Sequence, residues 1–216
     1  MDPKTGILRN KVGAETLEDL TQIEADLVMA RTAEFLRNPT PETPSGGYLV
    51  EIHQHLFQDI YDWAGDLRMI DIRKSDEDAD QFAPYQLLSQ NLQNSSEQLR
   101  AEDYLRELDR DAFLHRLAFH YEQLKYIHPF REGNGRVQRI FWLNVADNAG
   151  WKLDWRNVSG QMNDAACREA AVTGDLAIIR ELLAEVVVGP VTYNSKNSGR
   201  NQTERVNPIR AKKRNP

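Results

Sequence analysis

At 216 residues and 40% hydrophobic, the chain is long enough for one domain with a sizeable core. No apolar run approaches the ~20 residues of a membrane span, and Met1-Asp2-Pro3-Lys4-Thr5-Gly6 lacks the apolar core of a secretory signal. The single cysteine, Cys167, excludes an internal disulfide and suits a reducing cytosol, so a cytoplasmic protein is expected, with delivery into another cell left open.

The net charge of −6 conceals an asymmetry. From Gly189 to Pro216 there are seven basic residues (Lys196, Arg200, Arg205, Arg210, Lys212, Lys213, Arg214) and one acid, Glu204. The tail is therefore +6 and residues 1–188 carry −12. An acidic body argues against a nucleic-acid partner, and nothing in the sequence points to a membrane.

After Gly13, Leu17, Leu20, Ile23 and Leu27 recur near a period of 3.6 and predict a helix reaching Phe35 and Leu36. The proline-rich stretch from Pro39 to Gly47 ends it. Tyr48 to Trp63 resumes a helical pattern through Ile52, Leu56 and Ile60, with Gly65 as a C-terminal cap. Leu67 to Arg73 alternates apolar and polar residues and reads as a short strand. Lys74 to Asp80 is too charged for a core and reads as a hairpin tip, with Gln81-Phe82-Ala83 returning as the partner strand.

Everything beyond reads as helix. The predicted segments are Pro84 to about Arg100, Asp109 to Tyr126, Asn134 to Ala149, and two more near Ser159–Val172 and Asp175–Val187. In the second of them Phe113, Leu117, Tyr121 and Leu124 form the strongest apolar stripe of the chain. From Gly189 the composition favours an extended or disordered tail. The expectation is an all-α domain over 1–188 with one β-hairpin flap at about 67–83, followed by a basic tail over 189–216.

The chemistry concentrates between the two central helices, in His128-Pro129-Phe130-Arg131-Glu132-Gly133-Asn134-Gly135-Arg136-Val137-Gln138-Arg139. Gly133-Asn134-Gly135 supplies a turn able to close over phosphate oxygens, and the helix starting there adds its N-terminal dipole. A glycine turn alone is a common helix cap, and paired arginines often only solvate a helix face. Here Arg136 and Arg139 stand three apart on the same face, just behind the turn. Glu132 can pair with the arginines or hold Mg²⁺ beside phosphates. His128, at the end of the preceding helix, has an imidazole able to take a proton from a hydroxyl near pH 7. Phe130 is expected to turn inward and anchor the loop. Of the other histidines, His53 and His55 are two apart and share no helix face, while His115 and His120 read as surface or boundary residues. No zinc spacing and no Walker GxxxxGK[ST] occurs.

His128 to Arg139 resembles, at every defined position, the HPFx[D/E]GNGRxxR signature of Fic domain proteins. The Trp63-Ala64-Gly65 turn followed by the hairpin is also similar to that family, and the resemblance extends over about residues 1–188. It implies adenylylation, the transfer of AMP from ATP to a Ser, Thr or Tyr hydroxyl of a target protein. On this chain it makes His128 the general base, Glu132 the Mg²⁺ holder, Gly133, Asn134 and Gly135 the anion hole, and Arg136 and Arg139 the holders of the outer phosphates. Lys74, Ser75 and Phe82 of the flap would contact the target segment. Many relatives carry an inhibitory [S/T]xxxE[G/N] helix whose glutamate pairs with the second motif arginine, here Arg139. No Ser or Thr in this chain has Glu four residues on. Either the chain is uninhibited or a small antitoxin-like protein supplies that helix. Two alternatives stay open at this stage: another nucleotide donor or AMP removal on the same scaffold, and a nucleotide-binding interaction module.

Overall fold

The computed structural model describes residues 1–72 and 82–191. Among these, helices α1 (Leu17–Phe35), α2 (Gly46–Phe57), α3 (Leu88–Ala101), α4 (Arg110–Ile127), α5 (Asn134–Asn148), α6 (Gly160–Thr173) and α7 (Ala177–Val186) form the body. Two short strands, β1 (Trp151–Leu153) and β2 (Val187–Pro190), pair antiparallel. The all-α expectation holds, and no described helix is long and apolar enough to cross a membrane.

Local chemistry sets the helix starts. The Thr16 side chain accepts from the Asp19 N–H at 3.1 Å and opens α1. Asp109 does the same for Ala112 at 2.9 Å at the start of α4, and Ser159 for Met162 at 3.1 Å at α6. Helix α4 is the central rod: Phe113, Leu114, Leu117, Ala118, Tyr121, Leu124 and Ile127 are all buried. It packs on α3 and α7, while α2 lies between α1 and α5. Gly46 permits the close approach of α2 to α3, because an added Cβ would stand 3.1 Å from that of Leu92, and its N–H donates to Ser96 Oγ at 2.7 Å.

Four sequence expectations are corrected. The buried stripe of α1 is Leu20, Glu24, Val28 and Phe35, whereas Leu17 is exposed and Ile23 and Leu27 are half-buried. A carboxylate occupies the middle of that stripe because its partners lie on other elements. Helix α2 stops at Phe57, and turns carry the chain through Trp63. Leu67–Ile72 and Phe82–Ala83 carry no strand: Arg68 is buried and Met69 is 79% exposed, the reverse of the expected alternation. The backbone N–H of Arg68 goes instead to the carbonyl of Pro129, at 2.9 Å. The expected hairpin tip, with Lys74 and Ser75, lies outside the described residues. Finally, His120 is buried rather than at the surface, its Nε2 3.2 Å from Glu102, while His115 is exposed as expected.

The paired strands occur where no strand was expected. Trp151 pairs with Pro190 and Lys152 with Gly189, and a bulge precedes the pairing of Leu153 with Val187. This sheet ties the end of α5 to the end of α7. Val191 adds a further bond to the Gly150 carbonyl at 2.8 Å, so the packed body runs past the boundary expected at 188.

Candidate active site

Helix α4 ends at His128, which adopts the left-handed conformation (φ 45°, ψ 62°) and donates its N–H to Leu124 at 3.2 Å. That conformation costs a non-glycine residue ~1–2 kcal/mol and persists only where the surroundings impose it. The half-buried imidazole stacks on Phe82, with centroids 3.8 Å apart and planes 17° from parallel.

From His128 the chain turns sharply into α5, and three devices hold the turn. Phe130 is fully buried, as expected, and stacks on His53 at 3.9 Å. Asn134 clamps the loop to itself: its Oδ1 accepts from the Phe130 N–H at 2.9 Å and its amide donates to the Phe130 carbonyl at 2.8 Å. The Asn134 side chain thus shapes the loop, leaving any anion contact there to backbone N–H groups at the start of α5, which have no intrahelical partner. Gly133 (φ 82°) caps α5 against the ring of Phe57.

His53 is the residue that sequence reasoning passed over. Its ring is fully buried, stacked on Phe130, Phe57 and Trp63. Nδ1 accepts from the Gly65 N–H at 2.8 Å, which fixes the tautomer and leaves Nε2–H to donate to the Glu132 carbonyl at 3.2 Å. One imidazole therefore ties the Trp63-Ala64-Gly65 turn to the loop that carries Glu132. Burial pushes its pKa down to about 4, against the opposing effect of the Glu132 hydrogen bond.

The unfolded chain protonates this imidazole near 6.5 and the folded one near 4, so stability is complete above 6.5 and falls as the pH drops through that window. The slope from this group approaches ~1.4 kcal/mol per pH unit. Urea unfolding between pH 7 and 4.5 is expected to show this loss in the wild type and a flatter profile in His53→Phe, which keeps the stack without the titration; equal slopes in both would contradict the assignment.

Arg136 is held from three sides. Its Nη2 lies 2.6 Å from Glu24 and 3.2 Å from Glu132, and its guanidinium stands 4.8 Å over the Phe57 ring. Glu24 also accepts from the Tyr61 hydroxyl, which explains a carboxylate in the buried stripe of α1. Glu132 Oε1 takes a second bond from the Gly133 N–H at 2.8 Å, while its side chain remains 47% exposed. Arg139 donates to the Val158 carbonyl at 3.2 Å and stands 5.4 Å over Trp155.

A cavity of about 570 Å³ gathers His128, Glu132, Gly133, Asn134, Gly135, Arg136 and Arg139 with Phe82, so every expected residue of the 128–139 motif lines it. Lys74 and Ser75 lie outside the described residues. A further part of the lining was not legible in the sequence: Gly160, Asn163 and Asp164 of α6. Asn163 accepts from the buried Tyr121 hydroxyl at 2.6 Å, and Asp164 pairs with Lys125 at 2.7 Å. An arginine pair, a glycine turn at a helix N-terminus and an imidazole around one cleft suit phosphate binding next to proton transfer.

Among the described residues, no group of three or more His, Cys, Asp or Glu side chains could hold a metal. A cation here would depend on Glu132 together with substrate phosphates, the arrangement Mg²⁺ commonly adopts.

Residues 45–146 match the model of the Fic/DOC family. The protein adenylyltransferase VbhT of Bartonella schoenbuchensis is 35% identical over 87% of this chain, which spans 39% of VbhT. The probable protein adenylyltransferase Fic of Salmonella typhimurium is 31% identical over 86% of this chain and 90% of its own length. Among solved structures, BepC of Bartonella tribocorum, a VirB-translocated effector with bound AMPPNP, superposes with a TM-score of 0.83. It is 26% identical, over 88% of this chain and 96% of that one. With the motif, the loop and the cleft all in place, the chain belongs to the Fic/DOC family.

Proposed function

We propose that this chain is a protein adenylyltransferase that moves AMP from ATP to a Ser, Thr or Tyr hydroxyl of a target protein. One observation carries the reading: the His128 imidazole and the phosphate-binding start of α5, with Arg136 and Arg139, face the same cleft. Binding alone would require the second of these and not the first.

In this reading the triphosphate lies along the N-terminus of α5. Backbone N–H groups of the Gly133-Asn134-Gly135 turn donate to phosphate oxygens, that of Gly133 in exchange for its bond to Glu132 Oε1, and Arg136 and Arg139 hold the outer phosphates. Arg136, fixed by Glu24, Glu132 and Phe57, needs little reorganisation on binding. Glu132 would hold Mg²⁺, whose chemistry there would be to neutralise phosphate charge. The target hydroxyl attacks the α-phosphorus in line, and its proton passes to His128. A new O–P bond forms, the bond between the α-phosphorus and the bridging oxygen breaks, and pyrophosphate leaves. Phe82, stacked on His128, stands where a target segment would meet the catalytic ring. Lys74 and Ser75 complete the target contact in this reading.

The packed body through Val191 would form the catalytic unit and the basic residues beyond it a separate tail, within a cytoplasmic setting. The regulation that fits is external: a small helical protein supplying a glutamate to Arg139, since no Ser or Thr of this chain has Glu four residues on.

Parallel incubations of the full chain with Mg²⁺, a bacterial lysate and ATP labelled on either the α- or the γ-phosphate test the assignment. Protein-bound label is expected from the α-labelled nucleotide only, with pyrophosphate released in equal amount. Label from γ-labelled ATP would replace AMP transfer with phosphorylation. Stronger labelling from GTP, CTP or UTP would replace the donor.

A further inference from the structure

The geometry points to Arg68 as a positioning residue for the reaction, one that fixes the left-handed end of α4 and so the place of His128 in the cleft. The inference rests on His128 being the proton acceptor.

An α-helix ends with carbonyls that have no intrahelical partner, and at a buried end each must be satisfied elsewhere. At the end of α4 two short segments and one side chain meet that demand. The Ala83 N–H donates to the Tyr126 carbonyl at 3.0 Å, and the Arg68 N–H to that of Pro129 at 2.9 Å. Between them, the Arg68 guanidinium reaches the carbonyls of Ile127 at 3.4 Å and His128 at 2.9 Å. Two further donors go to the carbonyls of Ile70, at 2.8 Å, and Ala83. One planar fork therefore holds the last carbonyls of the catalytic helix and both chain segments that flank Phe82.

The side chain is 1% exposed, and its carboxylate neighbour, Asp71, is 3.8 Å away and 65% exposed. A buried guanidinium with only a distant exposed counter-charge is costly unless its donors are used. Burial duly pushes its pKa down, and the carbonyls at the negative end of α4 are the compensation. The consequence for His128 is specific. Its backbone is held in a conformation unfavourable to a non-glycine residue, and its carbonyl is bonded to Arg68. Its ring rests on Phe82, which directly precedes the Ala83 that Arg68 also holds. Backbone and ring are thus located through the same guanidinium. Lysine keeps the charge but presents a compact ammonium without the fork, so it cannot span the two segments.

The test compares the full-length wild type with Arg68→Lys. Thermal unfolding, AMPPNP affinity by calorimetry, transfer from α-labelled ATP to lysate proteins, and the side-chain NMR signals of His128 are measured on both. Arg68→Lys is expected to bind AMPPNP within about threefold of wild type while transfer falls on the order of 10²-fold, the scale of an ångström-sized misplacement. The His128 signals should move or broaden while those of exposed His115 stay in place. Wild-type transfer with unmoved His128 signals would overturn the inference. So would a loss of AMPPNP affinity as large as the loss of transfer, which would leave Arg68 a purely structural residue. Should Arg68→Lys not fold, amide exchange in the wild type decides: protection of the Arg68 and Ala83 amides supports the inference and fast exchange refutes it. The underlying reading fails separately. A wild type that transfers no α-label loses the adenylyl assignment, while the NMR comparison still reports whether Arg68 orders His128.

Discussion

His128→Ala is expected to lower AMP transfer by ~10²–10⁴-fold, equivalent to ~3–5 kcal/mol of barrier, while AMPPNP affinity stays within a few-fold of wild type. The separation follows from where the groups reside. The proposed phosphate contacts would fall to the first turn of α5 and to Arg136 and Arg139, whereas the imidazole belongs to the end of α4. Removing the ring leaves the Asn134 clamp, the Phe130 anchor and the Glu24–Arg136 pair untouched. It also takes away the stacking partner of Phe82, so a modest rise in mobility around that residue is expected without loss of the fold. Single-turnover transfer and calorimetry on the same preparation make the comparison. Equal rates in mutant and wild type would remove His128 from the chemistry, and parallel losses of rate and affinity would make it a binding residue.

Legibility in the sequence tracked distance along the chain. The motif 128–139 could be read because its groups are contiguous and bounded by two strongly patterned helices. The inward turn of Phe130 followed from an aromatic set among polar residues, and it is fully buried. What escaped were residues whose partners are remote. Glu24 drew no notice on α1, because nothing near it in the sequence announces Arg136 and Tyr61. Arg68 fell on a polar position of an apparent strand, and alternation cannot show that the carbonyls of another helix end will draw it inward. The spacing of His53 and His55 correctly excluded a shared face, yet gave no hint that His53 serves the catalytic loop. Its signal, if one existed, was the cluster of Phe57, Trp63 and Phe130, which needs an aromatic-sized partner. Strands β1 and β2 are three and four residues long and pair across the whole of α6 and α7, too short for any period to register.

Gly133→Ala should be the most damaging conservative change in the loop, because two independent costs meet there. The residue sits at φ 82°, which an alanine adopts only with strain of ~1–2 kcal/mol. An added Cβ would also lie 2.3 Å from Cζ of Phe57, too close for any real pair of carbons. Phe57 has nowhere to retreat: its ring is fully buried, stacked on His53 and Tyr61, and forms the surface beneath Arg136. Overpacking of a full core adds ~1–3 kcal/mol, so the combined loss is ~2–5 kcal/mol of stability. The displaced ring would also move the Arg136 guanidinium above it, which the proposed function assigns to the phosphates. Nucleotide affinity should therefore fall together with transfer, the opposite of His128→Ala. A double-mutant cycle separates the two costs. In a Phe57→Leu background the steric part should shrink while the backbone strain remains, so Gly133→Ala should cost less there than in wild type. Identical costs in both backgrounds would show that the glycine is needed for its dihedral angle alone. A change of under ~0.5 kcal/mol in the wild type, the range of an ordinary surface substitution, would mean that the turn is looser than the contact of Gly133 with Phe57 implies.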